Sequence, residues 1–196
     1  AGGDVSLSAT DNTTIKALAG SAAVSLAVGS GTNVGVGLGI SIAINEIANV
    51  TRTLVDDADV IAGGALSLSA DSTSDIDAIA FGAALSLAAG SDDTAVAASA
   101  TGAVTENRIA NVIRAAIEDI VPATANTVTA GGDVSLSAAD DASIGAFAFA
   151  GSVAIAVSGD GTSVGGAVGV GVALNSIGNQ TAATIDGVDV TAVGSV

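Results

Sequence analysis

Apolar and small residues alternate strictly along much of this chain. Between Val34 and Ile44, every second residue is Val, Leu or Ile, and the residues between them are Gly, Ser or Ala. A period of two is typical of a β-strand, because successive side chains point to opposite faces of a sheet. The pattern predicts long strands with one bulky face and one very small face, and the small face would let two sheets approach closely.

Short polar segments separate the alternating runs. Gly, Ser, Thr, Asn and Asp fill residues 29–33, 90–93 and 158–161, and these residue types favour tight turns. A helix is the alternative interpretation of one segment, Asn107 to Asp119, because its apolar residues recur at roughly helical spacing. The matching segments elsewhere in the chain are rich in Val, Thr and Asn, so we interpret it as strand.

The chain repeats itself three times. Ala-Gly-Gly, then any residue, Val or Leu, and Ser-Leu-Ser-Ala, begins at Ala1, Ala62 and Ala130. The chain therefore divides into residues 1–61, 62–129 and 130–191, with 192–196 as the start of a following repeat. Fixed spacing of this kind is the sequence signature of a repeat architecture, in which each unit packs on its neighbours.

The second repeat is longer than the first because of an insertion near residues 120–126, which contain the single proline, Pro122. The chain opens on a repeat boundary and has no signal-type leader there. We therefore expect one continuous solenoid segment of a larger protein.

A short sequence motif recurs within each repeat, and it leaves open how many coils each repeat forms. The Val-Ser-Leu triplet at residues 5–7 recurs at residues 24–26, and a spacing near twenty suits one turn of a parallel β-helix. Each repeat could wind three short coils, which we favour, or it could be a single wide coil. Glu46 and Arg108 discriminate between these layouts, because they share a column and would meet as an ion pair only if each repeat were one coil.

Each repeat also carries Asn-x-Ile-x-Asn. In a solenoid, equivalent residues of successive coils lie about 4.8 Å apart. Stacked asparagine amides can then donate to one neighbour and accept from the other. We predict two structural ladders: Asn45, Asn107 and Asn175 in one, and Asn49, Asn111 and Asn179 in the other. Ligand binding by the same amides is the alternative.

Aromatic residues are limited to three phenylalanines. Phe81 and Phe149 fall in one column, whose first member is Gly20. We predict that this aromatic column stacks in the core, where phenylalanine buries the most apolar area. A surface contact is the alternative.

Composition excludes several classes of function. The chain has no Cys and no His, which excludes thiol and imidazole chemistry, including Cys/His zinc sites and Ser-His-Asp triads. It has 20 acidic and 4 basic residues, for a net charge of −16, so we expect no nucleic-acid partner. Residues 17–45 are uncharged, but they alternate and include glycines throughout, so we also expect no membrane span in this segment.

Carboxylates are the remaining candidates for chemistry. They cluster in turns that recur along the repeats, whereas a catalytic site occurs once, so we predict no catalytic residues, no enzyme activity and no cofactor. Solvated acidic turns are the simplest interpretation. Calcium binding is the alternative, because Ca²⁺ takes six to eight oxygen ligands. Its candidate ligands are Asp56, Asp57, Asp92, Asp93 and Asp160.

The unit Ala-Gly-Gly-Asp-Val-Ser-Leu-Ser-Ala at residues 1–9, together with Asn-x-Ile-x-Asn and the run at residues 59–64, resembles a known kind of repeat. It is similar to the repeats of filamentous-haemagglutinin-type exoproteins and other giant repetitive bacterial β-helical surface adhesins. The resemblance covers essentially the whole chain. It implies an all-β, right-handed parallel β-helix (β-solenoid), secretion to the extracellular bacterial cell surface, and a structural or adhesive role.

We therefore expect a non-catalytic, stiff rod that presents loops such as Ser91–Thr94 and Gly159–Thr162. Its expected partners are a host or neighbouring-cell surface, polysaccharide, or like chains in self-assembly. Two alternatives stay open. A carbohydrate-active β-helix would need one cleft where acidic and basic groups converge, and an ice-binding flat β-solenoid would need threonines in a regular array, which do not line up here.

Overall fold

A computed structural model describes residues 1–91, 93–119 and 126–196, which form three stacked coils of four strands each. The first coil contains β1 (Val5–Gly29), β2 (Asn33–Ile47), β3 (Val50–Asp56) and β4 (Val60–Ala62). The second contains β5 (Leu66–Gly90), β6 (Ala95–Ile109), β7 (Val112–Glu118) and β8 (Thr127–Ala130). The third contains β9 (Val134–Ser158), β10 (Ser163–Ile177), β11 (Gln180–Asp186) and β12 (Asp189–Ala192).

Each strand pairs in parallel with the equivalent strand of the neighbouring coil. The pairing gives four three-stranded sheets, β1-β5-β9, β2-β6-β10, β3-β7-β11 and β4-β8-β12. The predicted all-β stack of repeats is thus confirmed. The segment from Asn107 to Asp119 contains the end of β6 and all of β7, so its interpretation as strand is also confirmed. Within the described ranges, no helix is long and apolar enough to cross a bilayer.

Each repeat winds one wide coil, so our preference for three short coils is wrong. Val5 pairs with Leu66, and Leu66 pairs with Val134, a full repeat further on. The triplets at 5–7 and 24–26 lie on the same strand, β1. Because nineteen is an odd number, the recurrence places the same triplet on opposite faces of that strand: Val5 is half-buried, whereas Val24 is exposed.

The register also locates the difference in repeat length. Asp56 pairs with Glu118, an offset of 62 residues, whereas Val60 pairs with Val128, an offset of 68. Six additional residues therefore lie between Glu118 and Val128, where the sequence predicts an insertion. Residues 120–125, and Asp92 at another turn, lie outside the described residues.

Large apolar side chains fill one part of each coil, which we call the head: residues 1–16 and 46–61 of the first coil and their equivalents in the other two. Leu66, Leu68, Ile113, Ile117 and Val128 form its main core. Ile47, Ile76 and Ile109 form a second, smaller cluster. Each such side chain contributes about 1.5–3 kcal/mol when fully buried, so the head carries most of the hydrophobic stabilisation.

The remainder of each coil is a thin two-sheet blade, formed by residues 17–45 and their register partners. The second half of β1 lies against β2, and the facing side chains are Gly, Ala and Ser. A Cβ added at Gly37 would lie 3.1 Å from the Leu85 carbonyl oxygen, and one added at Gly39 would lie 3.1 Å from that of Ala83. The small face thus lets the two sheets approach closely, as the sequence pattern predicts.

Candidate functional site

The blade turns its large apolar side chains outward, which is the reverse of an ordinary β-sandwich. Ile40 on β2 is 72% exposed and Val24 on β1 is 78% exposed. We name the outer surface of β1, β5 and β9 in the blade face A, and that of β2, β6 and β10 face B. Contiguous apolar surfaces of this extent mark interaction sites.

Face A is apolar at every outward position. These positions are Leu18, Gly20, Ala22, Val24, Leu26 and Val28, with Ile79, Phe81, Ala83, Leu85, Leu87 and Ala89, and Phe147, Phe149, Gly151, Val153, Ile155 and Val157. Outward positions in the head are mainly Ser, Thr, Asn and Asp. The change occurs within two residues, between Lys16 and Leu18 in the first coil and between Asp77 and Ile79 in the second.

Face B has a similar boundary. Its outward residues are Val34, Val36, Leu38, Ile40, Ile42 and Ile44, with Val96, Ala98, Ala100, Gly102, Val104 and Glu106, and Val164, Gly166, Val168, Val170, Val172 and Leu174. Glu106, at the end nearest the head, is the one charged residue among them. Glu46 and Arg108 follow at the boundary and are register partners. They nevertheless form no ion pair in the described part of the chain, where the ion pair that forms joins Arg114 and Glu118.

The aromatic column lies on face A, so its predicted core placement is wrong. Phe81 and Phe149 are register partners, but they are 43% and 56% exposed. The ring of Phe81 leans over Gly20 of the first coil. Phenylalanine cannot occupy the inner side of the blade, because the sheets there leave room for only small side chains.

Three asparagines form a continuous stack where the head meets the blade. Asn45 Nδ2 donates to Asn107 Oδ1 at 2.8 Å, and Asn107 Nδ2 donates to Asn175 Oδ1 at 2.9 Å. Asn107 is 2% exposed. A satisfied hydrogen bond contributes roughly 1 kcal/mol net, but a buried amide left without a partner costs about 1–3 kcal/mol. The stack therefore ties the three coils together through side chains as well as backbone.

The second set of asparagines lies at the corner between the second and third strand of each coil. The backbone N–H of Asn49 donates to Asn111 Oδ1 at 3.0 Å, and that of Asn111 donates to Asn179 Oδ1 at 2.8 Å. The side-chain oxygens thus accept from the backbone amide of the neighbouring coil at a break in the strands. The side-chain nitrogens are left to bond elsewhere.

These nitrogens reach across the head to polar residues on the long strands. Asn49 Nδ2 donates to Asp11 Oδ2 and Thr13 Oγ1, each at 2.7 Å. In the second coil, Asn111 Nδ2 donates to Ser74 Oγ at 2.8 Å and to Ser72 Oγ at 3.4 Å. In the third coil, Asn179 Nδ2 donates to Asp140.

We call this row of bonds the polar wall, because it separates the two apolar clusters of the head. Sequence reasoning did not identify the partners on the long strands. They lie 36 to 39 residues from the asparagines they bond. The sequence feature that could have identified them is their place in the alternating pattern. Asp11 and Thr13 are polar residues at inward positions of β1.

Several acidic residues bond the backbone of the next coil. Asp4 Oδ1 accepts the Ala65 N–H at 2.8 Å, Asp59 Oδ1 accepts the Thr127 N–H at 2.8 Å, and Asp133 Oδ1 accepts the Ser195 N–H at 2.7 Å. Hydrogen bonds to an ionised acceptor are stronger than hydrogen bonds between two neutral groups. These turn carboxylates therefore act as clips between coils.

A second acidic set stacks at the corner after the third strand. Asp56, Glu118 and Asp186 are register partners, and Arg114 Nη1 donates to Glu118 Oε1 at 3.1 Å. Burial raises the pKa of Asp56 above its ordinary value of 3.8, and the nearby charges of Asp57, Glu118 and Asp119 raise it further, against the opposing effect of Arg114. The Asp56 carboxylate is therefore held in an unfavourable environment.

The candidate calcium ligands are not brought together in the described residues. No group of three or more acidic side chains there is close enough to hold a metal ion. Asp56 and Asp57 lie at the head corner, whereas Asp93 and Asp160 lie at the far end of the blade, and Asp92 is outside the described part. Calcium binding stays a prediction.

Hydrogen bonds join the described residues of the loops at the far end of the blade, which we call the tip. Asn33 Nδ2 donates to the carbonyl oxygens of Gly29 at 3.1 Å and Gly31 at 2.6 Å. Ser158 Oγ donates to the Asp93 carbonyl oxygen at 2.6 Å and so joins two coils. The side chains of Asp93 and Asp160 are exposed there, in the loops that the sequence predicts as partner-facing.

Comparison with protein-family models, with curated proteins and with solved structures finds no match to the chain.

Proposed function

We propose that this chain is a non-catalytic, stiff segment of a secreted bacterial surface or fibre-forming protein, of the adhesin type that its repeats resemble. The observation that carries the proposal is the in-register stacking of three wide coils along one axis. Backbone ladders, two sets of stacked asparagines and carboxylate clips all join each coil to the next. Such cross-linking along one direction favours a rod that resists bending.

The tip loops are the part of this rod that we assign to partner contact. They stand at the end of a blade about 33 Å long, estimated from ten residue steps of about 3.3 Å. They are polar, successive coils repeat them about 4.8 Å apart, and those of the second and third coils carry Asp93 and Asp160. A repeated polar ridge suits a repeated partner such as a polysaccharide of a host or neighbouring-cell surface.

A glycan-array experiment tests the adhesive role. The purified chain is applied to a panel of bacterial and animal polysaccharides, alongside a tip variant with Asp93→Asn and Asp160→Asn. A matched control, with Asp77→Asn and Asp141→Asn, makes the same change of two charges on the exposed outer face of the head. We expect the control to bind as the original chain does and the tip variant to lose binding.

Two outcomes would contradict the proposal. If the tip and control variants bind equally, the tip does not contact the partner. If new reducing ends accumulate on any bound polysaccharide, the chain cleaves its ligand, and the carbohydrate-active alternative is correct.

A further inference from the structure

We propose that the two outer faces of the blade bind each other in successive copies of this chain, face A of one copy against face B of the next. This deepens the proposed fibre-forming role and rests on it. The basis is that both surfaces of one thin blade are apolar over the same span, apart from Glu106 at the end of face B nearest the head. A sheet face of exposed Val, Leu and Ile is stabilised when a second sheet covers it.

The area of the faces fits a second copy. Each face extends about 33 Å along the strands and about 14 Å across three strands, which gives roughly 460 Å² of flat surface. Two such faces in contact remove about 900 Å² from water, which is close to the roughly 1,000 Å² that a specific protein interface buries at the least. Because each copy has two faces, an interior copy in a stack buries both.

The shapes of the two faces indicate that face A of one copy contacts face B of the next. Face A carries a ridge of phenylalanines, Phe81, Phe147 and Phe149. Face B carries a shallow depression of about 300 Å³, lined by Val36, Leu38, Ala98, Ala100 and Val168. Gly102 is the next outward residue of β6 after Ala100, and a Cβ added there would meet no atom within 4 Å.

The ridge and Gly102 lie at the same level along the blade. A Cβ added at Gly82, next to Phe81, would lie 3.1 Å from the Gly102 carbonyl oxygen across the blade. Moving a second copy along the blade normal therefore brings Phe81 of one copy towards Gly102 of the next. Lipid chains adapt to any apolar surface and need no such match, so the relief favours a protein partner of the same sequence.

Translation without rotation makes the contact heterologous, and a heterologous contact that does not close generates an open stack. We therefore expect side-by-side assemblies without a fixed size. The net charge of −16 opposes close approach of copies, so assembly should be stronger at higher salt.

Sedimentation velocity over a range of protein concentrations tests the inference. The chain should form concentration-dependent oligomers, and Gly102→Glu should weaken association at least about a hundredfold, because it would bury an unpaired carboxylate on face B. The Gly102 position is open, so the variant should keep its circular-dichroism spectrum and thermal midpoint. The control, Ser137→Glu, adds the same charge to the polar outer face of the head and should associate as the original chain does.

A charge pair tests the A-to-B arrangement. Phe81→Lys alone should also weaken association, whereas a chain carrying both Phe81→Lys and Gly102→Glu should recover at least tenfold over either single variant, because each contact then pairs a lysine with a glutamate. No recovery would overturn the A-to-B arrangement.

Three further results would overturn the inference: a chain that stays monomeric at all concentrations, oligomers unaffected by Gly102→Glu, or a monomer that floats with phosphatidylcholine vesicles. The third result would identify lipid as the occupant of the faces. The glycan-array result for the tip variants is independent of these outcomes. A failure of the stacking inference is therefore distinguishable from a failure of the proposed adhesive role.

Discussion

At the scale of single residues, the amide of Asn107 is shared between two coils. It accepts from Asn45 and donates to Asn175, and it has almost no contact with solvent. Removing it would leave a donor on one neighbour and an acceptor on the other without partners. The residue is therefore a connector whose importance depends on its position in the middle of the stack.

We expect Asn107→Ala to lower the free energy of unfolding by about 2–4 kcal/mol, the sum of two lost buried hydrogen bonds. Asn175→Ala removes one bond of the same stack and should lower it by about half as much. Urea denaturation of both variants measures the difference. Equal effects at the two positions would show that the side-chain stack contributes nothing beyond local packing.

Asp56 predicts a pH dependence. Its raised folded pKa means that the folded state holds this proton more tightly than the unfolded state. The free energy of unfolding should therefore fall as pH rises from 3.8 through the folded pKa, and the loss should persist at neutral pH. Asp56→Asn should raise the thermal midpoint at neutral pH and change it little below pH 3.8.

The control for this measurement is Asp141→Asn, which removes an exposed carboxylate from the outer face of the head. Its thermal midpoint should follow that of the original chain more closely at every pH. A neutral-pH gain that is the same for both variants would indicate relief of general negative charge instead of the local environment of Asp56.

Single residues also show where sequence reasoning stops. Repetition alone was enough to place Asn45, Asn107 and Asn175 in one column, because equivalent positions stack in any solenoid. The partners of the second set, such as Asp11 and Thr13, could not be found this way. They lie on a different strand of the same coil, and only the width of the coil decides which residues face each other across it.

At the scale of elements, the inner side of the blade limits what β10 can contain. A Cβ added at Gly171 would lie 2.5 Å from the Ala148 carbonyl oxygen, whereas one added at Gly166 on the same strand would meet nothing within 4 Å. Gly171 faces the opposite sheet and Gly166 faces outward. The two glycines are thus present for different reasons.

We expect Gly171→Ala to destabilise the chain by about 1–3 kcal/mol, because the methyl group forces two backbones apart. Gly166→Ala should stabilise it by about 0.4–1 kcal/mol, because alanine restricts the unfolded chain and clashes with nothing. Thermal denaturation of the two variants provides the comparison. If Gly171→Ala is neutral, the sheets are less tightly apposed than the structure indicates.

The strands and the close approach of two sheets through their small faces were predictable, but the exposure of the bulky face was not. Alternation identifies a strand and its two faces, and the usual expectation is that the bulky face is buried. In the head this holds for Leu66 and Leu68, whereas in the blade the bulky face of β2 is exposed. The reversal follows from the glycines: strands that face each other through Gly, Ala and Ser close together and leave no room for larger side chains.

At the scale of the whole molecule, the coil is the unit of stability. In the 196-residue chain, the second coil has a neighbour on both sides, whereas the first and third have one each. In a parallel ladder, the backbone amides of an outer strand point alternately towards and away from its neighbour. The middle coil therefore has the most complete set of backbone hydrogen bonds.

We expect hydrogen exchange to be slowest in β5 and β6 and faster at alternate amides of β1 and β9, because local opening is easiest where backbone bonds are exposed. Mass spectrometry or NMR measures this directly. Uniform protection along all three coils would indicate that the outer strands are covered, as they would be if chains also joined end to end.

The number of coils was the main architectural point that the sequence left undecided. The recurrence after nineteen residues is real, but it relates the inner face of the head to the outer face of the blade on one strand. Repeat length and repeated triplets cannot distinguish that arrangement from three short coils. The odd spacing of nineteen residues does distinguish them, because along one continuous strand it places the two triplets on opposite faces.

The extra length in the second repeat has a practical consequence. Six added residues enter between β7 and β8, yet the parallel ladder resumes on the far side with Val60 opposite Val128. This corner is therefore a natural grafting point, where a foreign peptide could be spliced into the first coil after Asp57 or into the third after Gly187 without shifting any pairing. A stack of such coils would display the inserted peptides in one row, with a spacing set by the distance between paired strands.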